Sequence, residues 1–300
     1  MTSYGSEPHV NEQTEKSLNP DVLERCRDLV GLLFPWDMNR ALELALLKTF
    51  CLPSISGLLH QTGEFEQRPR KRYDDTALIV AELFRLGPDT AGGHAIIQRL
   101  NRIHSAYAIR QEDYAYVLSG FVAEPIRWIE SYGWRALQPL EQEALFLFWD
   151  HVGSLMHLEQ RPSTLQELME LNQRANRELF ACAESNQRVA DATVTMLLAP
   201  WPAPLQRWLR SIVSSLLEPE TLSSLNWSPA PAWQSQAVRF VLHCRSFVLC
   251  AVWSLRIPRR RRFFSERPTS TYGKQFTMEQ IGPPSMLKRL NNSSLGDDCD

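Results

Sequence analysis

The stretch DDTALIVAELFRLGP (residues 74–88) decides the fold class. Thr76, Ile79, Val80, Leu83 and Phe84 fall at i, i+3, i+4, i+7 and i+8. That is the repeat of one helical face, not the alternation of a strand. Asp74 stands where an N-cap would, and Gly87-Pro88 closes the run. The period continues on both sides. Upstream, Asn19-Pro20 reads as N-cap and first helical residue ahead of Leu23, Cys26, Val30 and Leu33. Asp37 can cap a second helix carrying Leu42, Leu46 and Phe50, stopped by Pro53. Residues 61–72 (QTGEFEQRPRKR) read as a charged loop. Downstream, Gly92-Gly93 opens a helix whose stripe is Ile96, Ile97, Leu100, Ile103, His104 and Tyr107. A long helix begins near Glu112, breaks or restarts at Pro125 and ends at Gly133. Further helices are expected over 139–158, 164–180 (with Ser163 and Gln166 as a capping box), 184–199, 203–217 and 232–255.

Strand-like alternation is nearly absent, so the expected class is all-α. One large helical domain is expected over 19–258, with a disordered segment at 1–18 and a mostly irregular tail at 259–300. The chain has 300 residues and is 44% hydrophobic and 22% charged, the composition of a folded globular protein. Its net charge of −2 carries no footprint for a polyanion, so nucleic acid is not expected as a partner. Six scattered cysteines without a CxxC argue for a reducing compartment and against a structural zinc site. The first residues lack the apolar core of an export signal. The most apolar stretch, Phe240 to Leu255, is interrupted by His243 and Arg245 and reads as a buried helix, not a membrane span. A cytoplasmic protein is therefore expected, with peripheral membrane contact open through the run Arg259 to Arg262.

Few residues carry chemistry. There is no GxSxG, no GxxxxGK[ST] and no GxGxxG, which removes the simplest hydrolase, nucleotidase and dehydrogenase readings. His104 shares a face with Ile97, Leu100 and Tyr107. A histidine there is commonly a core residue with one ring nitrogen satisfied; the alternative is a ligand. His151 and His157, and His94 and His104, do not share helix faces, so local spacing writes no multi-histidine metal site. A single axial histidine, as in haem proteins, needs no sequence neighbour. Arg72 and Thr76 lie one turn apart and can point the same way, at the mouth of an apolar face. The plainer alternative is a solvated Arg72 and a Thr76 that merely opens the helix.

The segments RKRYDDTALIVAELFRLG (70–87), RLNRIHSAYAIRQEDYAYVLSGFVAEPIRWIESYGWR (99–135), EQEALFLFWDHVGSLM (141–156) and TYGKQFTMEQIGPP (271–284) resemble the MpaB/rubber-oxygenase family, and its MpaB-type branch more closely. The resemblance implies an all-helical fold with a globin-like core holding one haem b. It implies an oxygenase that uses O2 to cleave a C=C bond in a small apolar, isoprenoid or lipid-like, substrate. Arg72 and Thr76 match the family's Arg-x-x-x-Thr, and His104 matches its proximal iron ligand. Arg72, Thr76 and Asp75 are then the expected catalytic residues, with Arg72 and His104 at the cofactor. Two positions depart from the pattern. Asp75 stands where rubber oxygenases have Lys, and Ser56 stands where they place a glutamate base. Glu64, Glu66 or Asp75 would have to supply that base. A haem or O2 binder without turnover, and a helical partner-binding module, are the other readings.

Overall fold

A computed structural model describes residues 17–255 and 258–287. The chain runs through α1 (Pro20–Asp28), a π-helical turn at Leu29–Leu33, α2 (Pro35–Thr49), α3 (Pro53–Thr62), α4 (Glu64–Gln67), α5 (Pro69–Leu86) and α6 (Ala91–His104). It continues through α7 (Gln111–Tyr132), α8 (Pro139–Leu155), α9 (Leu165–Glu178), α10 (Glu184–Leu198), α11 (Ala203–Ser215), α12 (Pro219–Ser224) and α13 (Ala232–Ser254). There is no strand among the described residues, and the protein is all-α.

The main core gathers the apolar faces of α1, α2, α5, α6, α7 and α8. At its centre Phe84 stacks on Phe148 with centroids 4.3 Å apart, and Trp149 stacks on Phe121 at 4.5 Å. Such aromatic pairs add about 0.5–1.5 kcal/mol each beyond the area they bury. A second cluster lies under α10 and α12 around Phe50, Val189 and Leu225. Helix α7 braces α2, which contributes to both clusters. Its Glu124 meets Lys48 of α2 at 2.8 Å in a buried ion pair, and Trp128 donates to Asp37 at 3.1 Å.

Capping explains several boundaries and corrects others. Asn19 accepts from the Asp21 amide at 2.9 Å, as expected of an N-cap. Asp37 caps nothing; it sits buried inside α2, which starts at Pro35. The charged stretch 61–72 is not a loop. It holds α4 and, from Pro69, the first turn of α5, because a proline at N1 presets the helical φ. Asp74 is therefore mid-helix rather than a cap, and it accepts from the Thr271 amide at 3.0 Å. Pro125 lies within an unbroken α7. Thr164, not Ser163, caps α9 by accepting from the Glu167 amide at 3.1 Å.

The largest correction concerns α13. Only Gln234 and Leu242 along it are buried. Its inner side is held by Arg245, which grips Asp37 at 2.9 and 3.1 Å, and by Ser246, which donates to the Gly133 carbonyl. Its outer apolar residues are exposed. By length and composition alone α13 is long and apolar enough to cross a membrane.

Residues 258–287 wrap back over the domain. Arg99 donates to the Ile281 and Glu279 carbonyls at 2.7–2.9 Å, and Tyr107 donates to Met286 Sδ at 3.3 Å. The disorder expected at 1–18 falls, for 1–16, outside the described residues, as does the polar end of the tail.

Candidate active site

A cavity of about 370 Å³ lies between α2, α3, α5, α6, α7 and the tail, and its walls are mostly apolar. Arg72, Asp75, Thr76, His104 and Glu64 all line it. The fold thus brings together residues that the chain spreads over three helices.

His104 is the last residue of α6. The helix is capped by Thr90, whose hydroxyl accepts from the Gly93 amide at 3.1 Å, and Ile96, Ile97 and Ile103 bury one face. That face sets the rotation that turns His104 toward the cavity. Its ring meets Tyr114 of α7 edge-on, with centroids 5.3 Å apart. Its Nδ1 is buried and has no hydrogen-bond partner among the described residues. Burial first, and then the nearby positive charge of Arg72, pull its pKa down to about 4. The imidazole is therefore neutral at physiological pH, with a lone pair to offer.

Arg72 lies over the Phe65 ring at 5.3 Å and reaches Asp75 at 4.0 Å, so one positive charge sits in the cavity wall. The Thr76 hydroxyl donates back to the Arg72 carbonyl at 3.0 Å. Its proton is committed to the helix, leaving only its acceptor side for a ligand. Asp75 is surrounded by donors. Lys71 approaches both its oxygens at 3.0 Å, the Tyr272 hydroxyl donates to one, and the Gly282 amide to the other at 3.2 Å. Glu64 is buried in the wall and held two-pronged by Arg68 at 2.8 and 2.7 Å. Glu66 turns instead to the His60 ring. Ser56 is buried elsewhere, hydrogen-bonded to Ser185 at 2.9 Å and to Asn186.

Sequence reasoning passed over a further pair. Glu43 of α2 lines the cavity, accepts from the Tyr73 hydroxyl at 2.7 Å and pairs with Arg40 at 2.6 Å. Burial raises its pKa, against the opposing pull of Arg40, Tyr73 and Arg70. Burial also raises the Tyr73 phenol, reinforced by the Glu43 charge. The available signal was a lone carboxylate inside the apolar run Ala41 to Leu47.

The described residues contain no cluster of three or more His, Cys, Asp or Glu side chains able to hold a metal ion. His151 is paired with Asp89 at 2.6 Å, while His94 and His243 are exposed. A cofactor that brings its own ligands and asks the protein for one axial nitrogen fits what is present: a neutral histidine with an unspent nitrogen in an apolar wall.

Comparison with known proteins agrees in extent. Residues 40–247 match the family described as ER-bound oxygenase mpaB/B'/Rubber oxygenase, catalytic domain. The chain is 27% identical over 242 residues to ER-bound oxygenase mpaB' of Penicillium brevicompactum, covering 74% of this chain and 57% of that protein. It is 29% identical over 210 residues to ER-bound oxygenase mpaB of the same organism, covering 64% and 53%. It is 30% identical over 151 residues to ER-bound oxygenase mpaB of Penicillium roqueforti (strain FM164), covering 48% and 51%. The chain thus spans little more than half the length of these relatives. The match takes in the cavity-lining residues from Leu42 to Leu158, and over two thirds of the chain; the chain belongs to the mpaB/B' and rubber oxygenase catalytic-domain family.

Proposed function

We propose that this chain is a haem b-dependent oxygenase, with His104 as the protein ligand to iron, that uses O2 to cleave a C=C bond in an apolar isoprenoid or lipid-like chain. The observation that carries the reading is His104 itself: a neutral histidine that lines an apolar cavity and whose buried Nδ1 has no hydrogen-bond partner among the described residues. A buried polar atom without a partner is costly, and an iron ligand role removes that cost. Haem iron, when bound, supplies the activation of O2 that no side chain here provides.

The chain's own residues do the rest. Leu42, Leu46, Val117 and Phe121 give walls that accept a hydrocarbon chain and exclude water. Arg72 presents a fixed cation to a carboxylate at the edge of the cofactor or to developing negative charge. Glu43, whose pKa burial raises, is the carboxyl placed to exchange a proton with the cavity, hydrogen-bonded to the Tyr73 hydroxyl. Asp75 holds the wall in place rather than carrying the proton, since donors fill its surroundings. Both atoms of O2 would end in the two carbonyl products. The relatives' names place those proteins at the ER, and an apolar substrate suits a protein seated peripherally on a membrane from the cytoplasmic side.

The test is the visible spectrum of protein expressed with a haem precursor, recorded oxidised, reduced and under CO. The expected result is a Soret band that shifts in each state and is lost or displaced in His104→Ala. An unchanged spectrum in that variant refutes the ligand assignment. A colourless protein that takes up no added haem refutes the cofactor. Screening alkene substrates by mass spectrometry for paired carbonyl products separates an oxygenase from a haem binder without turnover.

A further inference from the structure

Helix α13 presents a second apolar face where none is needed for folding. Its inward positions, Gln234, Val238, Leu242, Arg245 and Leu249, rest on the domain. On the outward positions Trp233 is 65% exposed, Phe240 69%, Phe247 78% and Leu255 66%. With Val241 and Val248 they form an apolar ridge along the whole helix, continued on α11 by Trp208, beside the start of α13, where Gln234 donates to the Trp208 carbonyl at 3.5 Å. Single exposed apolar residues are ordinary; a continuous ridge of this kind marks an interaction surface.

The charges around the ridge name the partner. Neither α11 nor α13 contains an acidic residue, while Arg207 and Arg239 are exposed on them. Beyond the end of α13, Arg260 and Arg262 are exposed, and Arg259 lies over the Trp253 ring at 4.2 Å. In a chain with net charge −2, this is a local concentration of one sign. The combination of a continuous apolar face, tryptophans at its rim and arginines at its end is that of a helix lying in the interface of an anionic bilayer.

We infer that α13, with Trp208 of α11, docks the domain flat on an anionic lipid surface. The inference rests on the peripheral-membrane part of the function proposed above and names its surface. The helix cannot leave the domain to cross the bilayer without breaking the Arg245–Asp37 pair, the stacking of Arg245 on Trp36 at 3.9 Å and the Ser246–Gly133 bond. It therefore lies along the surface. This orientation has a use: the segment leaving α13 reaches the cavity, since exposed Arg262 and Arg267 and half-buried Phe264 line it. An apolar substrate dissolved in the bilayer would meet the cavity without crossing water.

Flotation with vesicles of phosphatidylcholine, with and without phosphatidylserine, tests this and needs no bound cofactor. Wild type should float with phosphatidylserine vesicles and progressively less as salt rises. Phe240→Glu/Phe247→Glu should lower the bound fraction at least tenfold with an unchanged helical circular dichroism spectrum. Arg259→Gln/Arg260→Gln should remove the preference for phosphatidylserine. If wild type floats and the Phe240→Glu/Phe247→Glu protein floats equally, the surface is wrong while the membrane reading stands. If wild type floats with neither vesicle, both fall. A wild-type dimer that does not float, and that the double variant turns into a monomer, assigns the ridge to a second copy of the chain and overturns the inference.

Discussion

At the residue scale the site depends on how few groups its cavity leaves unpaired. His104 is the clearest, and its protonation is tied to stability. Its pKa falls from 6.5 to about 4 on burial, so the unfolded chain binds the proton more readily. The contribution is full above pH 6.5 and is lost as pH falls through the folded value. The cofactor-free protein should therefore unfold at lower urea concentration as pH drops from 6.5 to 4, and His104→Leu should flatten that slope. A midpoint that falls just as steeply in the variant would assign the slope to other groups. Glu43 makes a separate prediction. Glu43→Gln keeps the shape of the side chain and removes its ionisation. It should leave haem uptake and the Soret band unchanged and slow product formation by about 10²-fold, the usual scale of a lost proton carrier. Normal turnover in that variant would return the proton to Glu64 or to water.

At the element scale the tail behaves as a strap on α5. Asp74 accepts from Thr271, and Asp75 collects Lys71, Tyr272 and Gly282. Removing one partner from a buried ion pair costs about 3–5 kcal/mol. Asp75→Asn should lower the stability of the protein by an amount of that order, read from urea unfolding, and open residues 258–287 to protease before the helical domain is cut. A variant as stable and as protease-resistant as wild type would mean that the remaining contacts, Arg99 to the Ile281 and Glu279 carbonyls and Thr271 to Asp74, hold the strap without Asp75. These elements also show how far the sequence can be read. The stripe of α5 and that of α6 were legible because each buries one face, and a single face leaves its period in the chain. Asp74 reads as a helix start because its partner, Thr271, lies nearly two hundred residues away, beyond the reach of any local rule. The burial of α13 was misjudged for a different reason. Its apolar residues are the same whether another helix or something outside the chain covers them, and composition does not distinguish the two.

At the scale of the molecule, the position of the site follows from the void it surrounds. His104, Arg72 and Glu43 come from α6, α5 and α2, and only their common cavity makes them one site. Sequence spacing could nominate His104 and Arg72; it could not nominate Glu43, whose significance is its distance from water. A cavity of about 370 Å³ deprives its lining of packing partners, so the fold carries an internal deficit that an occupant can remove. Whatever binds the folded chain and not the unfolded one stabilises it by about 2.7 kcal/mol at a hundred times its dissociation constant. Haem should therefore raise the thermal midpoint of the wild-type protein by several degrees. Filling the void covalently should have the same sign and the opposite consequence for function. Val117→Trp places an indole in the cavity from α7, and it should raise the midpoint of the cofactor-free protein while abolishing the further rise on adding haem. Differential scanning calorimetry on the two proteins, each with and without haem, separates the cases. If haem still raises the midpoint of the Val117→Trp protein by the wild-type amount, the haem-linked stabilisation arises at another place in the molecule, and His104 has to be sought as a core residue after all.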